Sequence, residues 1–303
     1  MNKNFMKFAF ASALAFAGTL SVNAQITAPE WAVDQNATIQ HVGENMQLGD
    51  RFFLADEVLL VEITSTTATS DYTYEVKVVG INDLKVAGLT ELTIPFSDFD
   101  KNITTKISAV EAIAAYDPSA DKTPLSTDLT GIKKLTVGYA EATTGNVAPA
   151  GFGISSVADG AFANLTGITE IISYCEVPPT MTNAVFGDPT NTAVKKMFST
   201  NVKLSVAPSA LGTIAGKFAT APGWENFQRI YTVGDIYAFG DFNADGSIGT
   251  LDTSDFAVYS KKRGKNYTEP YNEHSVDFDG SGKWSNEDLS LFRTWQKKRF
   301  RKI

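Results

Sequence analysis

The chain is poor in the residues on which most cofactor and catalytic chemistry depends. Among 303 residues there are one cysteine and two histidines. Cys175 has no partner for an intrachain disulfide, and a lone thiol supplies neither a CxxC redox pair nor a thiolate zinc cage. His41 and His274 stand near opposite ends of the sequence, with no GxSxG or comparable nucleophile signature beside either. A Ser-His-Asp or Cys-His constellation therefore has no foothold, and both histidines read as surface residues. Cys175 itself, in the β-prone run IISYC, reads as a small buried apolar side chain. Positive charge is also scarce: 26 basic against 34 acidic residues leave a net charge of −8. That balance excludes a nucleic-acid binder, because phosphate contacts need a basic face. Long apolar runs are missing too. The run from Phe8 to Leu20 spans 13 residues, short of the roughly 20 a membrane-spanning helix needs, and no later run is long enough.

What is present at the start is a secretory layout. Lys3 and Lys7 precede the apolar run, and the small-residue site Val22-Asn23-Ala24 stands before Gln25, so residues 1–24 are expected to be a cleaved signal peptide. The mature protein is then expected outside the cytoplasm, secreted or at the cell surface, and not membrane-spanning. Charge divides the remainder. Residues 236–303 hold 11 basic and 10 acidic residues, and with the two lysines of the leader set aside, residues 25–235 carry −11. So acidic a segment suits neither anionic polymers nor an anionic membrane surface.

The most specific signal is a twelve-residue pattern that occurs twice, DFNADGSIGTLD from Asp241 to Asp252 and DFDGSGKWSNED from Asp277 to Asp288. Each places oxygen-bearing side chains at positions 1, 3, 5 and 12 and a glycine at position 6, the layout by which one loop wraps a hard cation. All-oxygen ligation at that spacing points to Ca²⁺ at two sites. The first would use Asp241, Asn243, Asp245 and Asp252 with the backbone carbonyl of Ser247; the second, Asp277, Asp279, Ser281 and Asp288 with the carbonyl of Lys283. Ser281 replaces a carboxylate, which sets the second site no tighter than the first. Gly246 and Gly282 stand at the sharp turn, and Ile248 and Trp284, both at position 8, are placed to pair the loops back to back. A helix is expected after each loop, one through TSDFAVYSKK and one through LSLFRTWQKK, each ending in a cationic turn. Their aromatic residues read as core, and GKNYTEPYNEHSV between the repeats reads as a linker loop.

EF-hands of the usual kind have a helix on both sides of the loop and Glu at position 12. Here the loops are preceded by the short, non-helical GDIYAFG and NEHSV, and position 12 is Asp both times. That combination resembles the dockerin family over residues 236–303. The resemblance implies two calcium-loaded loop-helix units and a cohesin-type partner, read mainly at positions 10 and 11 and on the following helix. Those positions are Thr250, Leu251, Ala257 and Val258 in the first repeat and Asn286, Glu287, Arg293 and Thr294 in the second. The two sets differ, which favours a single docking orientation.

Residues 25–235 contain a weaker repeat: AGLTELTIP from Ala87, DLTGIKKLTVG from Asp128 and NLTGITEIISY from Asn164, with Leu92, Leu135 and Ile171 at equivalent positions. Self-similar units with short β-prone endings are expected to stack, each burying its apolar face on the next. The alternation in residues 50–80 reads as strands, in the place of an N-terminal cap. The order ISSVADGAF, NLTGITEI, CEVPPTM and PGWENFQRI, from Ile154 to Ile230, resembles the BspA-type leucine-rich repeats of bacterial surface proteins, and implies recognition of a protein or surface ligand.

The fold class expected is α+β: a β-rich leucine-rich-repeat-like solenoid over 25–235, followed by a small all-α dockerin-like domain over 236–303. The function expected is that of an exported, non-enzymatic binding or adhesion protein whose calcium-dependent tail docks to a cohesin-type partner. The alternative is a carbohydrate-active or glycan-binding module carried by the same tail, since paired carboxylates of a glycosidase are invisible to residue counting.

Overall fold

The computed structural model describes residues 47–54, 58–69, 72–82, 88–100, 103–116, 129–139, 153–262 and 275–300. The expected leader, His41, His274 and most of the expected linker lie outside these residues. The first sheet is mixed and seven-stranded. Strands β1 (Arg51–Leu54), β2 (Leu59–Ser65) and β3 (Tyr74–Asn82) run antiparallel. A strand further along, β6 (Ile103–Val110), joins β3 in parallel, and its other edge takes β5 (Ser97–Asp100) antiparallel. The short β7 (Ala115–Tyr116) extends along β3, and β9 (Ser156–Val157) along β6.

Alternation explains β3: Tyr74, Val76 and Val78 are buried while Glu75 and Lys77 lie on the other face. On that face Glu62 binds Arg51 at 2.8 Å and Lys77 at 3.1 Å, and Lys77 reaches Glu111 at 2.5 Å. The ion pairs tie β1, β2 and β3 across one row.

The second sheet is five-stranded and parallel: β4 (Glu91–Pro95), β8 (Lys134–Tyr139), β10 (Glu170–Ser173), β11 (Lys203–Val206) and β12 (Ile230–Thr232), side by side in chain order. Leu92, Leu135 and Ile171 are indeed register partners, and Leu204 and Ile230 continue the buried row. One residue earlier, Glu91, Lys134, Glu170 and Lys203 alternate in charge across the strands, with Lys134 to Glu91 at 2.6 Å and Lys203 to Glu170 at 3.4 Å. A slip of one register would place like against unlike faces and bury these charges, so pattern and charge fix the same alignment.

The LTGI turns explain their glycines. Leu129 and Leu165 accept turn bonds from Ile132 and Ile168 at 3.0 and 3.1 Å, and neighbouring turns then approach closely. A Cβ on Gly167 would stand 2.0 Å from the Thr130 carbonyl oxygen, whereas one on Gly131 would stand 3.4 Å from that of Leu89. We expect Gly167→Ala to destabilise the fold by about 2 kcal/mol or more, and Gly131→Ala by much less, measured by chemical denaturation. Equal losses would show that the turns do not stack at the observed distance.

Four helices follow: α1 (Thr192–Lys196), α2 (Thr213–Thr220), α3 (Thr250–Lys262) and α4 (Asn286–Phe300). The phrases compared to leucine-rich repeats supply core. Ile154, Val157, Phe162, Leu165 and Ile168 are all buried, and the Trp224 indole N–H donates to the Pro179 carbonyl at 2.6 Å, joining PGWENF to the VPP stretch. Cys175 is 2% exposed and burial pushes its thiol pKa up. It should therefore react with a thiol reagent such as Ellman's only after denaturation; fast labelling of the native chain would place it at the surface.

The expected fold class, a solenoid followed by a separate all-α domain, is not what forms. Seven of the twelve strands among the described residues belong to a mixed sheet built from antiparallel pairs and the long-range β3–β6 pairing, which no stacking of identical units produces. Nor do the helices make a compact all-α unit at the C-terminal end. One continuous hydrophobic core runs from Phe52 to Trp295, and the second calcium-type loop is seated on α2, so α3 and α4 pack as part of the larger body. The physical reason is that an apolar helix face and a repeated strand specify burial but not the surface against which they are buried.

Candidate metal centre

Both loops share one hydrogen-bond frame at their first and last acids. In the first, Asp241 accepts from the backbone N–H of Asp245 at 3.1 Å and of Gly246 at 2.9 Å. In the second, Asp277 accepts from Ser281 at 3.1 Å and Gly282 at 2.8 Å. At the far end, Asp252 Oδ1 accepts from Phe242 and Asn243 at 2.8 and 3.2 Å and its Oδ2 from Gly249 at 2.6 Å. Asp288 repeats this with Phe278 and Asp279 at 2.8 and 3.1 Å and Ser285 at 2.5 Å. Gly246 and Gly282, with φ of 89° and 77°, take the left-handed turn at position 6.

Position 12 does two things in each loop. The helices α3 and α4 begin at Thr250 and Asn286, so Asp252 and Asp288 are third residues of their first turns. Each carboxylate reaches back to the N–H of the preceding cap residue, and the Ser285 hydroxyl accepts from the Glu287 N–H at 3.1 Å, completing a capping box. Three N–H bonds leave each carboxylate with its spare lone pair on Oδ2.

The second loop gathers its carboxylates: Asp277, Asp279 and Asp288 each offer an oxygen within 4.8 Å of the others, and the three could hold a metal ion. Asp277 and Asp288 are fully buried, and Asp279 lies nearer solvent. Among the described residues the first loop forms no such cluster. There Asp245 Oδ1 turns to the Ser247 N–H and hydroxyl at 2.9 and 2.7 Å, and its Oδ2 accepts from Asn243 at 3.1 Å. Asn243 Oδ1 in turn accepts from the Asp245 N–H at 3.1 Å. In the second loop the Ser281 hydroxyl donates to the Lys283 carbonyl at 3.1 Å and Asp279 accepts from the Ser281 N–H at 2.9 Å. Every residue expected as a ligand thus lies in its loop. The two loops differ in how tightly the acids converge.

The electrostatics follow from crowding acids without cations. Burial pushes the Asp241 and Asp252 carboxyls up, and neighbouring acids add to this, Asp252 and Asp245 for the one and Asp245 for the other. Burial likewise raises Asp277, against its bonds from Thr213 and Gly282. Asp245 is held down by the Ser247 hydroxyl and N–H. Burial alone would raise Asp279, but the Ser281 hydroxyl and N–H hold it below the usual carboxylate range. The penalty that burial puts on the charged forms of Asp241, Asp252 and Asp277 is one a hard divalent cation would relieve.

The expected back-to-back pairing of Ile248 with Trp284 is not made by a β-bridge; the isolated bridges among the described residues join Ser156 to Thr180 and Tyr231 to Ala238. Trp284 packs on Phe256 and Tyr259, each at 5.7 Å between ring centroids. Ile248 packs against the core cluster that includes Trp284 and also lines a cleft of about 460 Å³ that opens beside the first loop, with Gln228, Arg229, Tyr231 and Tyr237 on its walls. A residue the loop pattern does not reveal is Thr213 on α2, whose hydroxyl donates to Asp277 Oδ2 at 2.6 Å. It stands 64 positions before its partner, beyond any local signal.

No family model and no curated protein matches the chain. Among solved structures the chain is similar to the pneumococcal vaccine antigen PcpA, with 16% identity over 54% of this chain and a TM-score of 0.26, a likeness too slight to establish a shared fold. The match spans 44% of that protein, less than half its length. Among the described residues no helix is long and apolar enough to cross a membrane.

Proposed function

We propose that the paired loops are calcium sites of the dockerin type and that the chain is an exported, non-enzymatic binding protein whose C-terminal segment docks to a cohesin-type partner. The observation that carries the reading is the hydrogen-bond frame that the acids at positions 1 and 12 share in both loops, together with the convergence of Asp277, Asp279 and Asp288 within 4.8 Å. Asp241, Asn243, Asp245, Asp252 and the Ser247 carbonyl would hold one Ca²⁺, and Asp277, Asp279, Ser281, Asp288 and the Lys283 carbonyl the other. Bound calcium supplies positive charge that cancels the repulsion among the acids. The residues do the rest: Asp252 and Asp288 hold the loops closed and cap α3 and α4, which fixes the outer faces of both helices.

Those faces are unlike. On the first, Leu251 is 62% and Val258 38% exposed, a pair of apolar side chains one heptad apart. On the second, Asn286, Glu287, Arg293 and Thr294 are exposed and polar. A partner reading an apolar patch on one helix and a charged one on the other binds in a single orientation. Residues 25–235 would recognise a protein or surface ligand. The mature chain should be retained on an immobilised cohesin module in millimolar Ca²⁺ and released by EDTA, with Leu251→Asp weakening retention at least tenfold. Retention indifferent to EDTA would overturn the proposal.

A second reading is favoured by the cleft beside the first loop. Tyr231 and Tyr237 offer faces for stacking, and Gln228 and Arg229 offer donors for hydroxyl or carboxylate groups, the makeup of a saccharide site. Titration with a soluble glycan panel, followed by tyrosine fluorescence, would show saturable binding lost in Tyr237→Ala; no response from any glycan removes this reading.

A further inference from the structure

The second loop is fastened to the rest of the chain at its first acidic residue. The Leu211 carbonyl, on the turn before α2, accepts from the N–H groups of Val276 and Asp277 at 3.3 and 3.1 Å. Leu211 holds φ of 56°, a left-handed conformation that costs a branched side chain energy and persists only where contacts impose it. One turn on, the absence of a side chain at Gly216 lets α2 lie against the Asp277 carbonyl, where a Cβ would stand 1.8 Å from the oxygen. Lys217 lies across Gly280 in the same way, its Cγ 2.6 Å from where a Cβ would be. At the centre the Thr213 hydroxyl meets Asp277 Oδ2 at 2.6 Å, while the Ala210 carbonyl stands 2.7 Å from the same hydroxyl. A hydroxyl has one hydrogen for two acceptors, and a carboxylate takes the stronger bond.

We propose that Thr213 belongs to the second metal site as a positioning residue, fixing Oδ2 of Asp277 so that metal binding in the loop and the seating of α2 are one coupled event. The inference rests on the reading that this loop binds calcium. Oδ2 receives N–H of Gly282 and O–H of Thr213, which locks the plane of the carboxylate, and Oδ1 carries the single bond from Ser281. Partners that orient a ligand in this way typically change metal affinity by about 10 to 100-fold when removed. Reciprocity is obligatory: if α2 raises the affinity of the loop for metal, metal steadies α2 by the same factor. Calcium then acts as a latch, setting the direction in which α3 and α4 face relative to the sheets.

The test uses the mature full-length chain, calcium titration by calorimetry, and amide hydrogen exchange read over 213–220. Wild type should bind two calcium ions, and Ca²⁺ should slow exchange in α2. Thr213→Val should weaken one site about 10 to 100-fold and leave the other unchanged, and Thr213→Ser, which keeps the hydroxyl, should restore the wild-type isotherm. Asp279→Ala should abolish the protection of α2 while Asp245→Ala preserves it. Two undisturbed sites in Thr213→Val, or exchange in α2 indifferent to calcium in the wild type, would overturn the coupling and leave the loop assignment standing. No calcium bound to the wild type would sink both.

Discussion

Replacing Asp288 by alanine will remove one calcium equivalent and cost the fold about 3 kcal/mol in chelator, before metal is considered at all. Asp288 is 0% exposed and accepts three backbone N–H bonds, from Phe278, Asp279 and Ser285. Bonds to a charged acceptor contribute roughly 1.5–3 kcal/mol each when the donors are otherwise stranded. Phe278 is fully buried, so water does not replace its partner. An opposing effect exists, because removing one carboxylate relieves its repulsion with Asp277 and Asp279. At their spacing of up to 4.8 Å, each such pair is worth about 1–3.5 kcal/mol between surface and partly buried dielectric. The lost bonds win, since three are lost outright and Asp279, nearer solvent, repels weakly. Added calcium widens the gap, because a ligand at a hundredfold excess over its dissociation constant stabilises the wild type by about 2.7 kcal/mol at that site. Denaturant titrations of both chains in EDTA and in Ca²⁺ separate the two contributions. Equal stability in EDTA would show that the loop does not depend on Asp288 for closure.

This dependence was legible because it is local. Position 12 lies within one twelve-residue window with its ligand partners, and the pattern of Asp, Gly and Asp needs no knowledge of the rest of the chain. The existence of α3 and α4 was legible too, but each begins three residues before the segment expected, at Thr250 and Asn286, because the position-12 acid caps the first turn from inside the helix. The row Leu92, Leu135 and Ile171 could also be read, because Leu135 and Ile171 each stand six residues after the leucine of an LTGI turn and the strand ends ELTIP and KLTVG align Leu92 with them. What the row does not contain is the way the first sheet is made. Strands β3 and β6 are joined in parallel across the whole of β4 and β5, and β9 returns to β6 from 46 or more positions away. Pairings of that separation depend on which faces remain open after the local elements form, and alternation alone is silent on it. The same gap explains the mistaken all-α tail. Phe256, Phe292 and Trp295 are core, as their helical spacing suggested, but that spacing does not say that Phe278 joins them from the second loop or that this loop is bolted to α2.

Gly216 offers the sharpest test of that bolt, because two general effects predict opposite signs. Glycine inside a helix is unfavourable by about 1 kcal/mol relative to alanine, so Gly216→Ala should by propensity stabilise α2. Against this, the added methyl carbon would stand 1.8 Å from the Asp277 carbonyl oxygen, 2.9 Å from its carbon and 3.2 Å from the Phe278 Cα. All three obstacles are backbone, so no side-chain rotation relieves them, and the helix and the loop must separate. Overpacking of this kind costs about 1–3 kcal/mol where side chains can yield, and backbone contact puts the cost at the upper end. The net expectation is a loss of about 2 kcal/mol, together with a weakened second calcium site, since the displaced residue is its first ligand. Gly249→Ala is the control: nothing stands within 4 Å of its Cβ position, so it should lose no more than the roughly 1 kcal/mol by which alanine is the poorer helix cap and leave the second calcium site unchanged. A Gly216→Ala chain as stable as the wild type would mean that α2 and the second loop are not in contact in solution. The calcium sites would then stand on their own, and the latch would have nothing to hold.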